Sequence, residues 1–141
     1  MSEINWAALQ QAAQQAAAQA YAPYSKFPVG VAVLAESGKI YTGCNVENAS
    51  YGGTVCAERN AIGAAVVAGE RKFTALMVYT PQQMLTPPCG ICRQVIAEFF
   101  SPNAPIASCN HLHQQQNWSL GELLPAAFTP TYLANSTKVG A

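Results

Sequence analysis

The feature that most restricts the fold is a nearly continuous apolar run from Phe73 to Thr80, which lies between two segments with helical periodicity. A strand with apolar side chains on both sides needs cover on both faces of its sheet. Helices that alternate with strands along the chain supply that cover. The run therefore predicts an α/β domain in which helices pack on both faces of a sheet.

Turn residues and periodicity divide the rest of the chain into further elements. An Ala- and Gln-rich helix ends before Pro23, and the sequence ESGK at 36–39 closes a pair of strands. The pattern predicts a three-layer α/β/α sandwich with a mixed sheet of about five strands, in a single domain over residues 1–141. The predicted helices cover 5 to about 21, 56–68, 89–100 and 119–124, the predicted strands cover 29–35, 40–46, 73–80 and 106–109, and a turn region covers 110–117.

The chain carries few charges, which bears on its partners. Charged residues form 10% of the sequence, with seven Lys and Arg, seven acidic residues and a formal net charge of zero. Binding to nucleic acid depends largely on Lys and Arg that neutralise phosphates, so a polynucleotide partner is disfavoured. A surface poor in charge favours burial against other copies of the chain. We expect a homo-oligomer with no nucleic-acid or membrane partner.

Two features favour a reducing, cytoplasmic location. The opening MSEINW lacks the basic region and apolar core of a signal peptide, and no apolar run reaches the length of a membrane span. Five cysteines, an odd number, argue against a disulfide framework. Their thiols are expected to be free or to bind a metal.

Three of these cysteines are placed at predicted helix starts. Cys89 and Cys92 are three residues apart after Pro88, so both sulfurs can reach one ion, and Cys56 opens another helix. A structural zinc site needs a fourth protein ligand, whereas a catalytic site leaves that position to water. A C-x-x-C motif by itself is also compatible with a redox pair. The possible fourth ligands are Cys44, Cys109, His111 and His113.

Glu58 follows Cys56 by two residues, and this spacing helps to decide between a structural zinc site, a catalytic zinc site and a redox pair. The pattern Cys-x-Glu followed by Pro-Cys-x-x-Cys resembles the zinc-dependent nucleoside and nucleobase deaminases. Further segments resemble the small homotetrameric cytidine deaminases, and together they span most of the chain. These segments are YAPYSKF at 21–27, GCNVENASY at 43–51, CAER at 56–59, CRQ at 92–94 and LLPAAF at 123–128.

The resemblance implies a fold like that of the cytidine deaminases and a defined chemistry. One Zn²⁺ per subunit would be held by Cys56, Cys89 and Cys92. Glu58 would act as general base and then general acid, moving a proton from water to N3 of the pyrimidine and to the leaving amine. The implied reaction is hydrolytic deamination of cytidine and 2′-deoxycytidine to uridine and 2′-deoxyuridine in pyrimidine salvage, with release of ammonia.

Two further points concern the surroundings of the metal. The resemblance implies that Arg59 hydrogen-bonds the thiolates and that Gln94 supports the same site, whereas Arg93 is either a surface charge or a second nearby cation. Residues two apart on a regular helix do not face each other. Cys56 must therefore be the helix cap, or Glu58 must reach around the helix.

The resemblance also implies a binding site for a nucleoside. Asn45 and Glu47 alternate at the end of a predicted strand, so they point to one side, and they would hold the ribose hydroxyls. Phe27 would pack on the pyrimidine ring, and the backbone of Ala57 would hydrogen-bond the base. Residues contributed across a subunit interface of a tetramer would be Ala49, Tyr51 and Phe128.

Alternatives from other classes remain open at this point. One is a deaminase of a modified nucleoside such as blasticidin S, although Asn45, Glu47 and the segment around Phe128 favour cytidine. Another is a non-catalytic zinc module with Cys109 or a histidine as fourth ligand. A thiol-disulfide enzyme would leave Glu58 unexplained.

Overall fold

The computed structural model of the protein describes residues 3–136, and its centre is a five-stranded sheet with the order β2-β1-β3-β4-β5. Strands β3 and β4 are parallel, and the other neighbours are antiparallel, so the sheet is mixed as predicted. The strands are β1 (Gly30–Ala35), β2 (Ile40–Cys44), β3 (Phe73–Thr80), β4 (Pro105–Asn110) and β5 (Gln115–Ser119).

Helices cover both faces of this sheet, which confirms the three-layer α/β/α prediction. Helix α1 packs on one face, and α2 and α3 pack on the other. No helix within the described residues is long and apolar enough to cross a bilayer. The predicted single domain also includes 1–2 and 137–141, which lie outside the described residues. The helices are α1 (Trp6–Ala17), α2 (Ala57–Val67), α3 (Gly90–Phe99), α4 (Leu120–Leu123) and α5 (Pro130–Ser136).

The apolar run of β3 contributes to two separate cores. Leu76 and Val78 belong to the cluster beneath α2 and α3, while Ala75, Met77 and Tyr79 belong to the cluster beneath α1. Side chains of a strand alternate between the two faces of the sheet. A strand that is apolar at almost every position is therefore one that is buried on both faces, as the sequence predicts.

Two glycines allow helices to lie directly against the β1–β2 hairpin. A Cβ at Gly43 would lie 2.4 Å from the backbone nitrogen of Ala61 and 2.7 Å from the carbonyl oxygen of Ala57, both in α2. A Cβ at Gly30 would lie 1.9 Å from the carbonyl oxygen of Ala13 in α1. Any side chain at either position would push a helix away from the sheet.

The structure departs from the predicted elements in several places. Helix α1 ends at Ala17, not near Tyr21, because the backbone N–H and carbonyl of Tyr21 bond to the chain beyond β2 at Asn45 and Glu47. The predicted turn region at 110–117 contains the start of β5, an edge strand whose mostly polar side chains give no alternating apolar signal. Helix α5 follows Thr129 and was not predicted.

We expect Gly43→Ala to lower the free energy of unfolding by about 2 kcal/mol, because overpacking a close contact typically costs 1–3 kcal/mol. Gly63→Ala is the matched control, since a Cβ at Gly63 on α2 meets nothing within 4 Å. That control is expected to be neutral or slightly stabilising. Urea unfolding of both variants measures the difference, and equal stability of Gly43→Ala and wild type would contradict the direct helix-to-sheet contact.

Candidate metal centre and active-site cavity

Two of the motif cysteines are helix caps. Cys56 is the N-cap of α2 and Cys89 is the N-cap of α3, both with extended backbone angles. The partial positive charge of a helix N-terminus favours a thiolate there. The cap position also resolves the spacing question, because Cys56 precedes the regular helix that carries Glu58.

The three sulfurs form a compact cluster that suits a zinc ion. The Sγ atoms of Cys56, Cys89 and Cys92 all lie within 4.8 Å of one another, and those of Cys56 and Cys89 are 3.9 Å apart. Tetrahedral zinc with Zn–S bonds of about 2.3 Å requires sulfur–sulfur distances of about 3.8 Å. Cys92, one turn into α3, is fully buried. The cluster therefore fits Zn²⁺ in both donor type and spacing.

Without a bound metal ion, the thiols of the cluster differ in how readily they lose a proton. A hydrogen bond with Cys92, together with the Arg59 guanidinium and Cys89, lowers the pKa of Cys56 to about 5 against the opposing effect of burial. The pKa of Cys92 is raised, because its proton is held towards Cys56 and because its sulfur is buried. One thiolate therefore forms readily and the next does not. A bound dication relieves this repulsion between thiolates.

None of the possible fourth ligands joins the cluster. Cys109 belongs to the core beneath α1, on the opposite face of the sheet. His111 and His113 are exposed in the β4–β5 turn, and Cys44 ends β2. Within residues 3–136, the cluster contains three metal-ligating residues. Three protein ligands with one free position are typical of a catalytic zinc site, not a structural one.

Glu58 is buried beside this cluster. Its side chain is 5% exposed, and burial raises the pKa of its carboxyl to about 7, with the Cys56 thiolate acting in the same direction. Glu58, Cys56 and Cys89 all line one cavity of about 180 Å³. A carboxyl group with a pKa near neutrality can both accept and donate a proton at physiological pH.

The two arginines of the motifs have different surroundings. A guanidinium nitrogen of Arg59 lies 4.0 Å from the Sγ of Cys56 and donates to the carbonyl of Thr54 at 3.3 Å. The Nε–H of Arg59 is buried without a partner among the described residues, which leaves donor capacity beside the thiolates. Arg93 instead donates to the carbonyls of Pro88 at 2.7 Å and Leu123 at 2.9 Å. Arg93 is thus a half-buried link between the loop before α3 and the end of α4.

The expected sugar-binding residues hold a neighbouring segment of the chain. The Asn45 amide donates to the carbonyl of Phe27 at 2.8 Å and accepts from the N–H of Val29 at 2.9 Å. Asn45 is buried and lines the same cavity as Glu58, together with Ala57. Glu47 lines an adjoining cavity of about 330 Å³. Both residues follow β2, which ends at Cys44, two residues earlier than predicted.

Other residues of the prediction lie on the surface of the single chain. Tyr51 is 75% exposed and Phe128 is 57% exposed, and Ala49 is exposed as well. The Phe128 ring stacks on Tyr132 with a centroid distance of 5.8 Å. Gln94 is exposed and donates to the carbonyl of Phe128 at 2.8 Å. These side chains do not line the cavity that contains Glu58, but Tyr51 lines the adjoining cavity together with Glu47.

Several residues that line the cavities were not predicted. Thr54 lines both cavities and therefore joins them. It follows a single 3₁₀ turn at Tyr51–Gly53, and nothing in its local pattern distinguishes it from other loop residues. The proline-rich loop before Cys89 could have suggested a rigid wall. The other lining residues of the inner cavity that were missed are Val29, Val78, Thr86 and Pro87.

Comparison with known families identifies the group to which this site belongs. Residues 5–107 match the family model described as the cytidine and deoxycytidylate deaminase zinc-binding region. The chain belongs to this deaminase family. The matched segment includes all three cluster cysteines and Glu58, and it covers more than half of the chain.

Close relatives within the deaminase family cover nearly the whole chain. A cytidine deaminase of Sporosarcina psychrophila is 49% identical over 125 residues, which are 89% of this chain and 92% of that protein. One from Mycobacterium tuberculosis is 42% identical over 128 residues, 91% of this chain and 92% of that protein. The crystal structure of cytidine deaminase from Burkholderia pseudomallei superposes with a TM-score of 0.84 at 44% identity, covering 89% of this chain and all of that one.

We expect Cys92→Ser to lower zinc affinity by at least about a hundredfold, because losing even a residue that supports a zinc ligand costs 10–100-fold. Cys109→Ser is the matched control, since Cys109 is equally buried but lies on the other face of the sheet. Zinc per chain, measured by atomic emission after dialysis, is expected to stay near one in that control. Loss of zinc from Cys109→Ser with retention in Cys92→Ser would contradict the assigned ligands.

Proposed function

We propose that the protein catalyses the zinc-dependent hydrolytic deamination of cytidine and 2′-deoxycytidine to uridine and 2′-deoxyuridine, releasing ammonia. The observation that carries the proposal is a cluster of three cysteine sulfurs, two of which line one cavity together with a buried glutamate. Membership of the deaminase family and relatives named cytidine deaminase at up to 49% identity support it. The reaction serves pyrimidine salvage.

Cys56, Cys89 and Cys92 would hold the zinc, one ion per subunit. When bound, the ion supplies a Lewis acid and a water of lowered pKa at its free position. Three thiolates carry one charge more than the dication, and this excess opposes ionisation of the water. Arg59, whose guanidinium lies 4.0 Å from the Sγ of Cys56, offsets part of that excess.

Glu58 carries the protons of the reaction. Hydrolytic deamination takes two protons in turn from the oxygen of the attacking water, and delivers the first to N3 of the pyrimidine and the second to the amine, which leaves C4 as ammonia. A carboxyl with a pKa of about 7 accepts the first proton as carboxylate and donates it as carboxylic acid. Its burial keeps bulk water from competing for these transfers.

The surroundings of the inner cavity favour a nucleoside over a free base or a nucleotide. Asn45 and Glu47 would hold the sugar hydroxyls, Phe27 would pack on the pyrimidine ring, and the backbone of Ala57 would bind the base. The residues that line the adjoining cavity include the acidic Glu47 and neither lysine nor arginine. A 5′-phosphate would meet no cation in that lining. Asn45, Glu47 and the segment around Phe128 favour cytidine over a modified nucleoside such as blasticidin S.

Oligomerisation completes the proposed site. Ala49 and Phe128 are exposed in the single chain and line neither cavity, so in a homotetramer they would reach the active sites of neighbouring subunits. Tyr51 would do the same, although its exposed side chain also lines the adjoining cavity of its own chain. Gln94 would support this arrangement through its bond to the carbonyl of Phe128. The small number of charges on the chain agrees with extensive burial between copies. A cytoplasmic location suits an enzyme whose metal ligands must remain reduced thiols.

We expect Glu58→Gln to lower kcat for cytidine by at least about a hundredfold, because general acid–base catalysis contributes 10²–10⁴-fold. The amide keeps the size of the side chain but cannot take the proton. Glu98→Gln, on the exposed side of α3, is the control and should retain full activity. Ammonia release from cytidine, cytosine and 5′-CMP is measured for all three proteins. A zinc-loaded wild type that turns over none of these compounds would overturn the proposed reaction.

Sharing of active sites predicts complementation between two impaired variants. Phe128→Ala lacks the residue that a subunit lends, and Glu58→Gln lacks the residue that it uses itself. Mixed oligomers, formed by co-expression with two different tags, should regain activity above that of either parent. The gain would come from sites in which a Phe128→Ala subunit supplies Glu58 and a neighbouring Glu58→Gln subunit supplies Phe128. Activity no greater than the average of the parents would contradict the sharing of Phe128 between subunits.

A further inference from the structure

The Glu47 carboxylate is already held by the segment that precedes Phe27. Its Oε1 accepts from the backbone N–H of Tyr24 at 3.0 Å and of Ser25 at 3.1 Å. Its Oε2 accepts from the hydroxyl of Ser25. A carboxylate offers about four acceptor sites. Tyr24 and Ser25 therefore occupy three of these sites, which leaves about one acceptor site on a side chain that lines the adjoining cavity.

Ser25 also shapes the turn that leads to Phe27. Its hydroxyl oxygen accepts from the backbone N–H of Phe27 at 3.0 Å. Between them, Lys26 has a φ of 57°, the left-handed region that a non-glycine residue adopts only at a cost. The same hydroxyl thus connects the carboxylate of Glu47 to a constrained turn. Asn45 holds the other side of that turn through Phe27 and Val29.

We propose that Ser25 is a positioning residue, which fixes the rotamer of the Glu47 carboxylate so that its remaining acceptor site faces the sugar hydroxyls of the nucleoside. The inference rests on the proposed function and specifies how its sugar subsite is built. A glutamate side chain loses substantial rotamer freedom when it binds a ligand. Because Ser25 and the two N–H groups restrict Glu47 before the substrate arrives, that cost does not reduce the affinity.

The charge state of Glu47 agrees with this role. The hydrogen bond from the Ser25 side chain is the largest influence that lowers the pKa of the Glu47 carboxyl, and the N–H groups of Ser25 and Tyr24 and the charge of Lys26 act in the same direction. Donors directed at a carboxylate favour its ionised form. Glu47 is therefore an acceptor, not a donor, throughout the neutral range, as binding of hydroxyl hydrogens requires.

The chain offers a closely matched control in the β1–β2 turn. There the hydroxyl of Ser37 donates to Oε2 of Glu70 at 2.7 Å and accepts from the N–H of Lys39, two residues on, at 3.4 Å. The pKa of Glu70 is likewise lowered, first by Ser37. Ser37→Ala therefore removes the same type of bond as Ser25→Ala, in a turn whose residues line neither cavity of the proposed site.

The kinetic test compares cytidine with 2′,3′-dideoxycytidine, which lacks the ring hydroxyls. We expect Ser25→Ala to raise KM for cytidine about tenfold with kcat changed less than about twofold, as loss of a remote, charge-assisted hydrogen bond predicts. It should leave kcat/KM for the dideoxy compound within about twofold of wild type. Ser25→Thr, which keeps the hydroxyl, should restore KM, and Ser37→Ala should change neither substrate.

Equal losses on both nucleosides would overturn the proposal, because they would show that Ser25 supports the fold or the Phe27 turn alone. Unchanged KM in Ser25→Ala would overturn it as well. A wild type inactive on cytidine would count against the proposed function, and carbon-detected NMR of labelled glutamate then tests Ser25 independently. Ser25→Ala should raise the pKa of the Glu47 carboxyl, since it removes the main stabilising donor. A Glu47 pKa that does not change would refute the positioning role.

Discussion

The geometry of the site depends on how the strands align at one end of the sheet, where β2 and β3 finish. Gly30, where β1 begins, pairs with Cys44, where β2 ends, and with Tyr79 near the end of β3. Strands β2 and β3 both finish at this end of the sheet. The next long helix after each of them, α2 or α3, begins with a cysteine as its N-cap. Two helix N-termini therefore converge above the carboxyl ends of the strands, the location at which α/β sheets commonly bind ligands. The sulfur cluster and the buried carboxyl follow from that convergence.

Much of this arrangement could be predicted from the sequence because the deciding residues carry strong local signals. The apolar run of β3 indicated burial on both faces, and Pro88 with the paired cysteines indicated a helix start with two metal ligands. The spacing of Cys56 and Glu58 left two geometries open. Only the backbone, with Cys56 as N-cap, distinguishes them. Where local chemistry and tertiary structure agree, the predicted strand and helix starts were confirmed.

Other features depend on contacts between distant residues and leave no local pattern. The end of α1 is decided by the bonds of Tyr21 to the chain beyond β2, not by any breaker at Ala17. Strand β5 pairs with β4 through its backbone at the edge of the sheet, where polar side chains suffice. Pro130 at the first position of α5 is a common helix-start residue, and it could have indicated this helix from the sequence. The bonds of Ser25 to Glu47 join residues 22 apart, which no periodicity reveals.

The glycine contacts on the β1–β2 hairpin have a consequence for how this site could change. Gly43 and Gly30 occupy neighbouring register positions and allow helix backbones to approach the hairpin from opposite faces. At these two positions no side chain separates the helix from the strand, so a shift of either helix towards the hairpin cannot be absorbed by a change of rotamer there. A change of substrate preference is therefore expected in the segments that enclose the cavities, which are 24–29, 45–54 and 86–87. Helix α2, which begins at the Cys56 cap of the cluster, is held at a fixed distance from the sheet, so the loops around the cavities are where substitutions can change the site without moving the cluster.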